Sequence, residues 1–213
     1  MLTILVQETD QFFHHGLQCF FVDFFSRNFK QPIHFEVVLS RDNVSAADII
    51  VLPFCMGETH ICYPELQARQ KGIVIGVVDD ARRFSTSPSC FEDMIFIPRS
   101  ASLDQISQLL FIAWYRRQLP DYRWTKKECV ECQHKILSPQ QIRIMVNFYR
   151  GLSVEQIART LKMSDKTVFT HKYIIMQKFN LRSDAELIAL IHRMVEKKSQ
   201  PNRLRDFLVN HYG

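Results

Sequence analysis

No run of apolar residues in this 213-residue chain approaches the roughly 18 that a membrane-spanning helix requires. The first residues, MLTILVQETD, also lack the basic region and small-residue cleavage site of a secretory leader. A cytoplasmic protein without a membrane partner is the expectation. Glycine is scarce at six residues, no internal repeat or low-complexity tract occurs, and 46% of the residues are hydrophobic, so long disordered stretches are not expected. There is no Gly-rich phosphate loop, no G-x-S-x-G turn and no local grouping of Ser, His and Asp, which removes the usual signals of nucleotide-dependent or acyl-transfer enzymes. No catalytic residue, no cofactor and no enzymatic activity are assigned. The six cysteines show no disulfide framework and are read as reduced thiols. Cys129 and Cys132 form a C-x-x-C with His134 nearby, but they supply at most three zinc ligands and have no second pair. They are read as plain linker cysteines, with metal or redox use as the alternative, and no metal site is assigned.

What the chain does have is an uneven charge. Residues 1–137 carry 14 basic and 16 acidic side chains, whereas residues 138–213 carry 13 basic and 6 acidic, a net +7. A cationic segment joined to a near-neutral one suits a polyanionic partner, most simply nucleic acid. The length fits two domains of about 100 residues or fewer.

Short apolar runs at residues 3–6, 35–39, 49–52, 73–78 and 95–97 read as buried strands. Between the first two runs, Phe13, Leu17, Phe20, Phe21 and Phe24 form a one-faced helical stripe, and residues 103–117 form a second helix with Arg116 and Arg117 in its last turn. Strands alternating with helices predict a parallel α/β sheet of about five strands over residues 1–117. The connection from Leu39 to Ile49 is so brief that its crossover helix must be short or absent, and the stretch from Asp80 to Cys90 is similarly compressed. Residues 118–136 mix Pro and charge without a period and read as a linker. Residues 197–213 form a tail in which Leu204, Phe207 and Leu208 suggest a last short helix.

Residues 137–196 have a wholly helical pattern punctuated by Ser138, Ser153, Ser164 and Ser183. Gln141, Gln156 and Glu186 follow three places after the first, second and fourth of these serines, which is the capping-box spacing. Pro139 suits the first helical position, and Gly151 closes the first helix. At about 100° per residue, Val168, Ile175 and Phe179 of the third helix fall together with His171 beside them, a stripe that packs inward. Lys166, Thr170, Tyr173 and Gln177 fall on the opposite side, Phe169 lies at its edge, and the long stem of Lys172 flanks the inner stripe. A helix presenting lysine, hydroxyls and an amide after a brief turn at Lys162 and Met163 is suited to the major groove.

The segment from Leu137 to Glu186 resembles the LuxR/NarL-type helix-turn-helix module at its Leu137-Ser138-Pro139 start, at Gly151, at Ile157-Ala158, at Thr167-Val168, at His171 and at Lys178. The resemblance covers about a quarter of the chain. It implies base-facing roles for Phe169, Thr170 and Tyr173, and backbone contacts for Lys166, Thr167, Lys172 and Lys178. Phe169 stands where the family usually has lysine, so the family's target sequences do not transfer, and packing of Phe169 against the preceding helix is the alternative. KTVFTHK also resembles the recognition helices of enterobacterial auxiliary regulators of the capsule-activator type.

In relatives of this module the partner domain is often a phospho-acceptor receiver. The first half is weakly similar to one in TILVQETDQFFHHGL and ADIIVLPFCM; an unrelated α/β sensor is the alternative. The receiver alignment puts the acidic pair on Glu8 and Thr9, the phospho-acceptor on Pro53, and the fifth-strand lysine on Pro98 or Arg99. A proline offers no nucleophile, so a degenerate site without phosphoryl transfer is expected. The expected role is an atypical response regulator that binds double-stranded DNA, as a homodimer or as a heterodimer with a response regulator. The rivals are a ligand- or redox-sensing regulator and a protein that sequesters another regulator.

Overall fold

The computed structural model describes residues 1–61, 63–84, 93–119, 137–197 and 202–212. The chain divides into two compact units, one of residues 1–54 and 63–132, the other of residues 55–62 and 133–213. Cys129, Cys132 and most of the expected linker lie outside the described residues.

The first unit runs β1 (Leu2–Val6), α1 (Gln11–Phe29), β2 (Ile33–Glu36), α2 (Arg41–Ala46), β3 (Ile49–Pro53), β4 (Ile73–Val78), β5 (Ile95–Pro98) and α3 (Leu103–Gln118). The sheet is wholly parallel with order β2-β1-β3-β4-β5. This is the α/β fold that the alternation of strands and helices predicts. Asp10 starts α1 by accepting from the Phe12 and Phe13 amides. The helix then buries Leu17, Phe21, Phe24 and Phe25 against the sheet and α3, where the Phe25 and Trp114 rings meet edge to face at 5.0 Å. Each large side chain so buried contributes about 1.5–3 kcal/mol.

The second strand corrects the sequence reading. Pairing with β1 sets a register from Leu2 against Ile33 to Leu5 against Glu36, so the strand ends before Val37 and Val38, which are exposed. The chain then turns, with the Val38 carbonyl accepting from the Ser40 amide and the Asn43 side chain, and Ser40 caps the six-residue α2. Local hydrophobicity favoured residues 35–39; partnership with β1 decided otherwise.

The second unit contains α4 (Pro139–Tyr149), α5 (Val154–Leu161), α6 (Asp165–Lys178), α7 (Asp184–Glu196) and α8 (Arg203–Tyr212). Ser138, Ser153, Ser164 and Ser183 are the caps of α4 to α7, and the first two complete full capping boxes with Gln141 and Gln156. The third expected box is only half formed, because the Glu186 carboxylate accepts from the Arg182 amide while Ser183 accepts from the Glu186 amide. Gly151 takes φ 76°, a conformation suited to glycine, after α4. The tail helix α8 docks in the core of this unit through Leu204, with Phe207 and Leu208 packed beside it. Asn202 fixes the turn: its amide group donates to the Met194 and Lys197 carbonyls, and its oxygen accepts from the Arg205 amide. Within the same unit the buried Glu58 lies 3.3 Å from the Arg193 guanidinium and 3.6 Å from the Lys197 ammonium.

Candidate nucleic-acid interface

The turn between α5 and α6 is made by Lys162, whose φ of 52° reverses the chain, and by Ser164, which accepts from the Thr167 amide. Ile144, Ile157, Ala158 and Val168 form the small core that fixes α6 against α4 and α5. Ile175 and Phe179 anchor its far end in a second cluster with Met145 and Leu190. The inward stripe is therefore the one that helical spacing predicts, with His171 half-buried at its edge. The opposite face is turned toward solvent.

Lys166, Thr167, Phe169, Thr170, Tyr173 and Gln177 are all exposed. Phe169 is 52% exposed. Ile174, 40% exposed, belongs to the same face and was missed from sequence. The 100° spacing puts it beside Thr170, but an isoleucine in a helix is ordinarily assigned to a core.

Several polar groups on α6 already have partners. The Thr170 hydroxyl donates to the Lys166 carbonyl at 2.9 Å, and the Gln177 amide donates to the Tyr173 hydroxyl at 2.8 Å. Lys172, one of the expected phosphate contacts, is half-buried with its ammonium 2.6 Å from the exposed Asp184 carboxylate and 5.7 Å from the Phe169 ring centroid. Lys178, another, donates to Gln141 at 3.3 Å. Lys166 stands in the first turn of α6, on the outward face.

The expected acceptor region of the first unit has a different chemistry. The Glu8 side chain is almost fully buried: one oxygen accepts from the Thr9 and Asp10 amides, and the other lies 2.7 Å from the Arg99 guanidinium, which lies over the Phe13 ring. Arg99, rather than Pro98, is thus the fifth-strand residue that meets the acidic position. Asp10 is spent as the α1 cap, and Pro53 ends β3 opposite Val77. Among the described cysteines, Cys19 is exposed and Cys55 is half-buried. Burial pushes the Cys55 thiol well above its ordinary range, and the neighbouring Glu58 carboxylate adds to the rise.

Residues 135–191 match the family described as bacterial regulatory proteins, luxR family. Over 136 residues the chain is 30% identical to the transcriptional activator protein BglJ of Escherichia coli (strain K12), a match covering 63% of this chain and 57% of that protein. It is 43% identical over 54 residues to the oxygen regulatory protein NreC of Staphylococcus carnosus (strain TM300), covering 25% of each. The fold is similar to that of RcsB from Salmonella enterica serovar Typhimurium, solved bound to a promoter with the phosphomimetic BeF3-. That likeness has a TM-score of 0.55 at 14% identity and covers 88% of this chain and 96% of RcsB. In this chain a five-stranded parallel α/β unit precedes the helical unit that carries the luxR-family match, the fold class that the two halves of the sequence predict. Among the described residues, no helix is long and apolar enough to cross a membrane.

Proposed function

We propose that this chain, which carries a LuxR-family helix-turn-helix domain at residues 135–191, is a sequence-specific transcription regulator that binds double-stranded DNA without phosphoryl transfer to its own α/β unit. The observation that carries this reading is the α6 face, where Lys166, Phe169, Thr170, Tyr173 and Gln177 are held outward by a buried apolar stripe. Lys166 and Thr167 suit phosphate oxygens, as do Lys172 and Lys178 once released from Asp184 and Gln141, while Phe169, Thr170 and Tyr173 meet base edges. Phosphorylation independence is supported by Pro53 at the acceptor position and by the Arg99 guanidinium already paired with Glu8.

The protein acts as a dimer, or as an accessory subunit pairing with a response regulator, because one module reads half a site and gains affinity from a tethered neighbour. In support, α3 turns Ile112 and Tyr115 to solvent on the side away from Ile106, Leu110 and Trp114, an apolar exposure that suits a protein partner. A redox-sensing mode is disfavoured at Cys55 by the suppressed acidity of its thiol.

The test is genome-wide mapping of bound DNA with the intact chain, in cells with and without candidate response regulators. Discrete bound sites lost on Thr170→Ala or Tyr173→Ala support direct reading. Bound sites that are absent, with transcriptional effects persisting only through another regulator, would make the chain a sequestering protein instead.

A further inference from the structure

Hydrogen-bond readout of a base pair needs donors or acceptors that are free to leave the protein, and several of those on α6 are engaged within it. The helix contains no arginine, so the planar fork that reads guanine is missing from it. Two of its three lysines are drawn to protein acceptors, Lys172 to Asp184 and Lys178 to Gln141. The Thr170 hydroxyl proton is committed to the Lys166 carbonyl, and one N–H of the Gln177 amide is engaged with the Tyr173 hydroxyl oxygen. The face also presents much carbon: Phe169, Tyr173 and Ile174 are among the exposed large hydrophobic residues, and Thr170 beside them is exposed as well.

These groups are ordered rather than scattered. Phe169 and Tyr173 stand four residues apart, as do Thr170 and Ile174, so the two pairs form adjacent columns, each rising about 6 Å along the helix. That rise spans nearly two base-pair steps of about 3.4 Å. In the major groove the one apolar feature of the unmodified bases is the C5-methyl group of thymine.

We infer that α6 recognises its half-site chiefly through thymine C5-methyl groups, seated against Phe169 and Ile174 with the Thr170 methyl between them. The Thr170 hydroxyl is tied back to the Lys166 carbonyl of its own helix, which leaves the methyl as the group of that exposed side chain to meet a base. Tyr173 closes the apolar strip, and Lys166, at its margin, supplies the phosphate contact that sets the register. This specifies the ligand chemistry of the interface and rests on the DNA-reading assignment made above.

The experiment begins by selecting duplexes from a randomised pool with the full-length chain, then measures affinity for the selected duplex with each thymine replaced singly by deoxyuridine. That replacement removes only the C5-methyl. Thymines are expected at fixed positions of the half-site, with about a fourfold loss per removed methyl at two or more of them and none outside the half-site. Phe169→Ala and Ile174→Ala, both at exposed positions and checked for folding by thermal melting, should bring the thymine-to-uracil affinity ratio toward one at the position each covers. Selected duplexes bound equally well with thymine and uracil would leave DNA reading intact and overturn the methyl assignment. A ratio undiminished in both variants would overturn the seating on Phe169 and Ile174. Failure to select any sequence would overturn the DNA-reading assignment and this inference with it.

Discussion

The Arg99 guanidinium lies 2.7 Å from the Glu8 carboxylate and 4.8 Å from the Phe13 ring centroid, bridging the ends of β5, β1 and α1 with a single side chain. A carboxylate so placed, with two backbone amides on its other oxygen, has its charge satisfied from within the protein. Acetyl phosphate with Mg²⁺ should therefore neither label residues 1–117 nor change DNA affinity, and a phosphoaspartate detected there by mass spectrometry would refute this. Arg99→Ala should lower stability by roughly 1–3 kcal/mol in urea unfolding, because Glu8 stays buried with only its backbone donors. A variant as stable as the parent would mean that the pair does no structural work.

Asp48 joins three parts of the first unit. It accepts from the Thr3 amide at 3.0 Å, and its other oxygen lies 2.8 Å from the Lys71 ammonium and 3.4 Å from the Arg117 guanidinium. Burial alone would raise its pKa, but the bonds from Lys71 and Thr3 and the two positive charges outweigh it and hold the group below the ordinary 3.8. A pKa lower in the folded than in the unfolded state stabilises the fold above about 3.8, a contribution lost as pH falls through the folded value. Asp48→Asn should thus cost on the order of 1 kcal/mol at pH 7, screening included. The gap between the urea midpoints of parent and variant should close as the pH falls below about 3.8 and through the lower folded value. A gap independent of pH would refute the electrostatic account.

The α8 helix gives a test by truncation. Leu204 is buried in the core of the second unit, so Leu204→Ala should cost about 2–4 kcal/mol. A fragment of residues 133–213 should melt at a higher temperature than one of residues 135–198. Equal melting temperatures would show that α8 contributes nothing in solution.

How much of this was legible in the sequence follows from where the determining physics lies. Helix starts are set by neighbours within three residues, so Ser138, Ser153, Ser164 and Ser183 could all be read. The inward stripe of α6 is likewise periodic. The end of β2 could not be read, because it depends on pairing with β1 and not on the apolar run at Val37 and Val38. The seat of α8 depends on Asn202 reaching the carbonyls of Met194 in α7 and of Lys197 just past its end. Ile174 escaped because its exposure contradicts its chemistry, and the partner of Arg99 is 91 residues away in sequence.

Lys172 and Asp184 pair across α6 and the start of α7. Helical geometry puts the Lys172 stem beside the inner stripe and suggests that its ammonium meets a phosphate, yet in the free protein that ammonium is 2.6 Å from Asp184. The carboxylate is largely exposed, so the pair is weak enough for a phosphate to displace it. If Lys172 does transfer to DNA, Asp184 opposes binding by competing for it. Lys172→Ala should then weaken binding to specific and random duplexes alike and reduce the slope of log affinity against log salt by about one. Asp184→Asn should do the reverse, tightening binding to both kinds of duplex several-fold at low salt, with the amide keeping the shape at the start of α7. Titrations at three salt concentrations decide the matter. If Asp184→Asn leaves affinity unchanged while Lys172→Ala lowers only the melting temperature, the lysine is a structural tie between α6 and α7 and the phosphate contacts must be carried elsewhere, Lys166 first among them.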